Sequence, residues 1–517
     1  MRKARRGEKM NILSEIVEKR KADIARMGYT FGFDVPERRY RDMHPFIEDK
    51  CVILEIKRAS PSKGDIAKEL DEKKTALEYA KAGAGAISCL TESNYFKGNL
   101  GDFMNVAKAL DAFQGQNKGK IPALLRKDFL ISEEDIDVSY RAGADAVLLI
   151  ARILETYKLI SMAKRCEELK MSMLIEVRQQ DDLDKLKAVA ENIKDKNLIV
   201  CGVNARDLSD FSIDLLYPSV LASSIRSILG ENARIVFESG IRSAEAARFP
   251  SILGFNALLL GEAAAKNPEN ALSFVQNFVS SRADDNSKKW NKVANVLYKE
   301  KKPLVKICGI TNTEDALKAA SLGANFLGFI FSKKSKRGIV PFKLPEIIVE
   351  LERAGLRDKV FTVGVITETD SEEAKLAYSF QDAGALDFLQ LHDCAASKEQ
   401  REKIADRAHF YVVGIESEAD LEKFDQMRYL GEPRILLDAK VNGQSGGTGK
   451  NVNKAIVEKV KAKSKIWLAG GINPENVSEI ANEFKPELID VSSGVEAEVG
   501  KKDFEKMQKL LKAVKGE

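Results

Sequence analysis

Short apolar runs alternate along the chain with longer charged stretches in which apolar residues recur every three or four positions. Such runs, bounded by helical periodicity, predict strands buried on both faces and each followed by an amphipathic helix, the pattern of a parallel sheet. In the first half the runs open at Cys51, Ala86, Ile121, Ala146, Ser172, Leu198, Arg234 and Ala257; in the second, at Leu304, Phe326, Val360, Phe388, Phe410, Arg434, Ile466 and Leu488. Eight βα units in roughly 200 to 250 residues is the arithmetic of a (β/α)8 barrel, and the chain holds it twice. The expected fold class is therefore α/β, two tandem (β/α)8 TIM barrels. The first carries an extra N-terminal helical segment, because the pattern from Asn11 onward is amphipathic. A doubly wound open sheet is the alternative, since strand counting does not see closure.

The expected domains are residues 1–280 and 303–517, joined by a polar linker or linking helix over 281–302, after which Pro303 opens a new strand. Weak internal repetition supports the pairing of halves. Gly-Ala turns precede strands at Gly83 and Gly143 and again at Gly323 and Gly384. Late in each half a Gly-Ile pair (Gly240-Ile241, Gly471-Ile472) is followed 21 residues later by a small-residue turn, at Gly261 and at Ser492. These are the loops after the seventh and eighth strands, where such barrels bind phosphate on backbone N–H groups.

Residues two apart in a strand share a face, so Glu55 and Lys57 point the same way at the C-terminal end of the first strand. Lys127 ends the third strand, Glu176 lies in the fifth, Asn204 closes the sixth and Glu238-Ser239 close the seventh. One Lys or Glu on a rim means little; two lysines and three carboxylates around one mouth suit anion binding with proton transfer. A Schiff-base role for Lys127 is the alternative. In the second half Lys306 and Cys308 share the inward face of the first strand, Asp438 ends the sixth, and Arg337 follows the second. A thiol at Cys308 can remove a proton while Asp438 delivers one.

Composition narrows the partners. The 517 residues are 44% hydrophobic and 31% charged, and 82 Lys and Arg against 78 Asp and Glu leave a net charge of +4. That balance offers no whole-chain reason to expect nucleic acid; the basic tip at residues 1–10 reads as a tail, with a nucleic-acid arm the lesser alternative. No run approaches the ~18 apolar residues of a membrane span. Six cysteines without a C-x-x-C pair fit a reducing cytoplasm. His44, His392 and His409 lack metal-ligand spacing, and no metal is expected. Gly446-Gly-Thr-Gly-Lys450 imitates a P-loop, but Asn451 stands where Ser or Thr is required and Gln444 where Gly is. No cofactor is expected.

The strings Glu55-Ile-Lys57-Arg-Ala-Ser60-Pro61, Leu90-Thr-Glu92 with Phe96, Leu125-Arg-Lys127-Asp-Phe129, Leu174-Ile-Glu176, Gly202-Val-Asn204-Ala-Arg206, Glu238-Ser239-Gly240 and Leu259-Leu-Gly261-Glu262 resemble the indole-3-glycerol-phosphate synthase family over about residues 10 to 280. That resemblance implies closure of an anilino-deoxyribulose phosphate to an indole, with loss of carbon dioxide and water. It implies Lys127 as general acid and Glu176 as partner acid/base. Lys57 would bind a substrate anion and Glu55 would orient both lysines. Ser60, Pro61, Phe96, Phe129, Asn204, Arg206 and Glu238 fall at substrate-binding positions, and Ser239, Gly240, Gly261 and Glu262 at the phosphate.

The second half resembles phosphoribosylanthranilate isomerase through Lys306-Ile-Cys308-Gly309, Lys336-Arg337, Gln390-Leu-His392, Leu436-Leu-Asp438, Gly446 to Lys450, Gly470-Gly471-Ile-Asn and Asp490-Val-Ser492-Ser493-Gly494-Val-Glu. The family's Gln-Leu-His-Gly reads Gln-Leu-His392-Asp393 here, and residues 451–453 lack the expected aromatic. The resemblance implies an Amadori rearrangement with Cys308 as general base and Asp438 as general acid. Arg337 would bind the anthranilate carboxylate, His392 would line the substrate, and Gly470, Gly471, Ser492, Ser493 and Gly494 would hold phosphate. Together the halves imply a bifunctional enzyme of tryptophan biosynthesis, a monomer acting on small phosphosugar-anthranilate substrates without metal or cofactor. A phosphosugar-binding barrel protein with one inactive half is the rival.

Overall fold

The computed structural model describes residues 12–516 except 62, 117–119, 207–211, 282–287, 393, 395–396, 442–443 and 446–453. The chain divides into two units that part at residues 282–283. In the first, eight parallel strands close into a barrel: β1 (Cys51–Ile56), β2 (Ala86–Leu90), β3 (Ala123–Lys127), β4 (Ala146–Ile150), β5 (Ser172–Val177), β6 (Ile199–Asn204), β7 (Arg234–Glu238) and β8 (Ala257–Leu260). All six residues of β1 are buried, one face toward the barrel axis and the other toward the helices, which is why these strands read as continuous apolar runs. The run opening at Ile121 forms strand only from Ala123, because Pro122 has no N–H to give to a ladder.

The second unit repeats the architecture with β9 (Leu304–Cys308), β10 (Phe326–Ile330), β11 (Phe361–Ile366), β12 (Phe388–His392), β13 (His409–Ile415), β14 (Ile435–Val441), β15 (Trp467–Ala469) and β16 (Leu488–Val491). Parallel pairing of β13 with β14 and of β9 with β16 completes the ring. Both halves are thus closed barrels, and the open sheet is excluded.

Each barrel is stoppered at its N-terminal end by the segment that enters it. In the first, Phe46 and Ile47 are buried against Cys51, Ala86, Ala123 and Ala257. In the second, helix α2 (Lys288–Lys299) sets Trp290 against Phe388 and Trp467, with ring centroids 5.0 and 6.1 Å away. The stretch expected as a linker or linking helix therefore contains a helix with a packing role.

The two ends also share an ionic anchor. Asp145, just before β4, accepts the Leu124 N–H at 2.8 Å and pairs with Arg39 at 2.7 Å and Arg41 at 3.0 Å. Asp387, just before β12, accepts the Thr362 N–H at 2.8 Å and pairs with Arg357 at 3.0 Å and with Lys289 of α2. Burial raises the cost of both charges, yet a hydrogen bond from His44 with the Arg41 charge holds Asp145, and Arg357 with Lys289 holds Asp387, below the ordinary value.

At the C-terminal end of the first barrel lies helix α1 (Ile12–Met27), whose Leu13 and Ile16 join a buried cluster with Phe129 and Ile150. Its buried Arg20 pairs with Asp128 at 2.8 Å and with Asp135. Asp135 in turn closes a capping box with Ser132 at the start of helix Glu133–Ala142. The helix is thereby tied to the loop that leaves Lys127.

Candidate active site

Side chains from alternate strands fill a (β/α)8 barrel in layers of four. Strand register places Glu55, Lys127, Glu176 and Glu238, from β1, β3, β5 and β7, in one layer at the C-terminal end. The layer beneath from the same strands is Ile53, Leu125, Leu174 and Val236, all buried and apolar. One step along a strand of period two therefore converts a hydrocarbon layer into a charged one.

Room for that layer comes from glycine. A Cβ on Gly202 would stand 2.1 Å from Glu238 Oε1, and one on Gly261 2.5 Å from Glu55 Oε1. In the space so left, Lys127 Nζ lies 3.1 Å from Glu55 Oε2 and 3.2 Å from Glu238 Oε2. Lys57 Nζ is 3.4 Å from Glu55 Oε1 and 5.3 Å from the centre of the Phe96 ring. Phe96 and Phe129 are 6.2 Å apart, so two aromatic faces border the charged layer.

Burial works to strip Lys127 of its proton, but Glu55, Glu238 and Glu176 overcome it and hold the ammonium well above its ordinary value. Glu55 is likewise kept below the usual carboxylate range by Lys127 and Lys57, against the pull of burial. Glu176 goes the other way: burial first, then the neighbouring Glu238 charge, push it up to about 8, with Lys127 opposing. One layer thus holds carboxyl groups whose proton affinities have been driven apart, the arrangement acid–base chemistry needs. Glu238 Oε1 is buried without a hydrogen-bond partner among the described residues.

The remaining expected residues of this half lie in the loops around the layer. Asn204 Oδ1 accepts the Arg206 N–H at 3.0 Å, and Arg206 is half-buried, its guanidinium lowered by burial. Ser60 is buried in a two-residue pairing of Ala59–Ser60 with Gly64–Asp65, whereas Pro61 is exposed. Glu262 pairs with Lys266 at 2.8 Å.

In the second barrel the reactive groups line one cavity of about 350 Å³, bordered by Cys308, Arg337, His392, Asp438, Gly470, Gly471, Ser492 and Ser493. Beneath Cys308 a buried Lys306–Asp490 pair closes at 2.8 Å. Burial pushes the Cys308 thiol up, and the Lys306 charge pulls it back in part. Glycine again provides the space: a Cβ on Gly328 would lie 2.8 Å from Cys308 Sγ and 3.0 Å from Lys306 Nζ. His392 Nε2 stands 3.9 Å from Asp438 Oδ2. Arg337 is clamped by Glu496 through Nε at 2.9 Å and Nη2 at 2.9 Å.

The loops after the seventh and eighth strands match between the halves. Ser239 and Gly240 have φ of 70° and 88°, and Gly470 and Gly471 have 98° and 64°. A serine with positive φ is uncommon and marks a constrained turn. One loop further on, Gly261 (φ −105°, ψ −80°) and Ser492 (φ −121°, ψ −82°) adopt the same conformation at the start of a short helix. Gly494 admits no side chain, since its Cβ would fall 2.0 Å from the Ile472 carbonyl oxygen, so the two loops of the second barrel lie in contact. Ser492 Oγ is buried with no partner among the described residues.

Sequence reasoning gave no role to Gly202, Gly328, Asp490, Glu496 or Lys502, although Gly202, Asp490 and Glu496 stand in the strings that carried the resemblances. Position supplied a signal for the first three, which lie in strands at inward-facing register. The basic tip, Asp393, the Gly446–Lys450 string and residues 451–453 lie outside the described residues.

The family model for indole-3-glycerol phosphate synthase matches residues 12–277, and that for N-(5'-phosphoribosyl)anthranilate isomerase matches residues 305–513. A multifunctional tryptophan biosynthesis protein of Phanerodontia chrysosporium is 31% identical over 525 residues, covering 90% of this chain and 63% of its own length. Tryptophan biosynthesis protein TrpCF of Vibrio parahaemolyticus is 31% identical over 471 residues, covering 90% of this chain and 85% of its own. A solved phosphoribosyl anthranilate isomerase of Thermotoga maritima is 37% identical, covers 42% of this chain and 100% of its own, and has a TM-score of 0.37. The chain spans less than two thirds of the length of the multifunctional relatives, at 63%, 59% and 62%.

Proposed function

The chain belongs to the indole-3-glycerol phosphate synthase family, in the two-domain form with an N-(5'-phosphoribosyl)anthranilate isomerase domain behind the synthase domain, and from that premise we propose two consecutive reactions. The second barrel isomerises N-(5-phosphoribosyl)anthranilate to 1-(2-carboxyphenylamino)-1-deoxyribulose 5-phosphate. The first barrel cyclises and decarboxylates that product to indole-3-glycerol phosphate. What supports the reading is the presence in each barrel of an ionisable cluster beside a pair of loops that share one conformation across the halves.

In the synthase step Lys127, held protonated by its carboxylates, donates to the ketone oxygen as the ring carbon attacks, and supports its departure as water. An amine must be neutral to attack a carbonyl, so the same electrostatics disfavour a Schiff base at Lys127. Glu176, which keeps its proton to about pH 8, gives that proton to the leaving hydroxyl and, once emptied, takes one from the ring. Lys57 beside Phe96 binds the substrate carboxylate, and Glu55 fixes both lysines. In the isomerase step Asp438 protonates the ring oxygen as the sugar opens, and Cys308 removes the C2 proton. Lys306 lowers the cost of the thiolate this requires. Arg337 takes the anthranilate carboxylate, and the backbone at 470–471 and 492–494 takes the phosphate.

No described helix is long and apolar enough to cross a membrane. Our reading has the chain act as a monomer in the cytoplasm on small phosphosugar substrates without nucleic acid, a location that a sparse set of six cysteines fits. The test is to supply the full chain with N-(5-phosphoribosyl)anthranilate and follow indole-3-glycerol phosphate. Accumulation of the intermediate points to a binding-only first barrel, and no consumption of either substrate overturns the reading.

A further inference from the structure

Glu496 lies outside every strand of the second barrel's ring, yet its carboxylate gathers several hydrogen bonds at the edge of the cavity. Oε1 and Oε2 accept from Arg337 Nε at 2.9 and 3.1 Å, and Oε2 also accepts from Arg337 Nη2 at 2.9 Å. Oε1 accepts from Lys502 Nζ at 3.0 Å and from the Gly500 N–H at 3.3 Å. Glu496 and Lys502 sit on the two strands of a hairpin, β17 (Glu496–Glu498) and β18 (Lys501–Lys502), that follows the loop after β16. The Glu496 side chain is 6% exposed and that of Lys502 0%, whereas Arg337 keeps 27% and borders the cavity.

The two cations reach two different loops of the cavity. Arg337 stands on the loop after β10. Lys502 Nζ also donates to the Ser492 carbonyl at 3.1 Å, in the loop read as a phosphate site, where Ser492 Oγ is the buried hydroxyl without a described partner. Two cations against one carboxylate leave a net positive charge, as an anion-binding site requires, and burial of the Lys502 ammonium is tolerated only because Glu496 faces it. An arginine held through Nε and Nη2 has its planar fork fixed and its Nη1 edge unused among the described residues, which suits a second planar carboxylate.

We propose that Glu496 is a positioning residue of the isomerase barrel, a single carboxylate that sets both the Arg337 fork for the anthranilate carboxylate and, through Lys502, the Ser492 loop for the phosphate. The inference rests on the isomerase reading above. Glu496 touches no reacting atom, so its contribution is to binding in ground state and transition state alike, and its loss raises KM with little change in kcat.

The experiment compares wild type, E496Q, E496D, R337A and R337A/E496Q in the full chain, with the fluorescence of Trp290 and Trp467 as the report on folding of the second barrel. Hydrogen bonds to charged groups are worth about 1.5–3 kcal/mol, so E496Q should raise the KM for N-(5-phosphoribosyl)anthranilate by about 10- to 100-fold with kcat within about threefold. Competitive inhibition by anthranilate should weaken as much as KM, and that by inorganic phosphate by several-fold. R337A/E496Q should lose no more anthranilate affinity than R337A alone, because the two residues act as one unit. E496D, which keeps the charge on a shorter arm, should fall between wild type and E496Q, and carries the test if E496Q does not fold. An unchanged KM in either Glu496 variant overturns the proposal, as does an equal loss of kcat and of native tryptophan fluorescence, which marks a role in folding. Absence of isomerase turnover in wild type sinks the isomerase reading instead; weakened binding of anthranilate and phosphate to E496Q, read by calorimetry, then still decides whether the carboxylate organises the cavity.

Discussion

The two barrels solve the problem of buried charge differently. In the first, four ionisable side chains occupy one layer, and Lys127 is neutralised within it by Glu55 and Glu238 at 3.1 and 3.2 Å. In the second, the buried pair Lys306–Asp490 lies deeper, at 2.8 Å, while Cys308 and Asp438 stand apart across a cavity. The concentrated layer drives neighbouring proton affinities apart, with Lys127 raised, Glu55 lowered and Glu176 brought to about 8. The dispersed arrangement sets the proposed acid and base on different strands and puts the charge pair beside one thiol. The same fold therefore supports either a packed layer of charges or a dispersed set, according to which strands carry them.

The sharpest way to break this comparison is to remove one group from each barrel. K127A should cut synthase turnover by about 10³-fold or more, since positioned acids contribute about 10²- to 10⁴-fold and three carboxylates lose their counter-ion as well. C308A should cut isomerase turnover by about 10²- to 10⁴-fold. Each should spare the other activity, measured separately by steady-state kinetics. Loss of both activities from either change would mean that the barrels do not act independently.

A smaller effect is expected from filling the glycine hollows. In G202A the new methyl must displace Glu238, and in G328A it must displace Cys308 or Lys306. A displacement of about 1 Å costs about 10²-fold in a positioned site. G202A should also disturb the pH profile of synthase turnover, because Glu238 raises Glu176. G328A should lower isomerase turnover without moving the pH profile of synthase turnover, because its methyl meets Cys308 and Lys306 of the second barrel. A shifted synthase profile in G328A would show that the barrels are coupled after all.

What could be read from sequence follows the same division. Strands buried on both faces appear as unbroken apolar runs, so all sixteen were visible, and period two put Glu55 and Lys57 on one face, with Lys127 and Glu176 expected around the same mouth. Residues that act from loops have no such period. Glu496 reaches Arg337 across 159 positions, and Arg20 reaches Asp135 across 115. Asp145 and Asp387 did leave a trace, each standing two or three residues after a Gly that was noticed as part of an internal repeat, but a Gly-Ala turn alone does not reveal that the aspartate behind it gathers two cations. Polarity left linker and linking helix both open over 281–302, although Trp290, Val293 and Ala294 recur at helical spacing and are the buried residues of α2.

The smallest effect concerns stability, and it separates the barrels by sign. Below about pH 4.5 Glu176 holds its proton whether the chain is folded or not. Between there and about pH 8 the unfolded carboxyl is ionised while the folded one is not, so the first barrel loses stability as pH rises through that window and none beyond it. E176Q, which cannot ionise, should therefore lack synthase activity yet unfold a few degrees higher than wild type at pH 9, and at the same temperature at pH 4. Both tryptophans, Trp290 and Trp467, are in the second unit, so their fluorescence follows that barrel alone. In E176Q the calorimetric transition without a fluorescence change should move and the one with it should stay. An equal gain at pH 4 and pH 9 would show that Glu176 is not held protonated by its layer, and would remove the electrostatic contrast between the two halves.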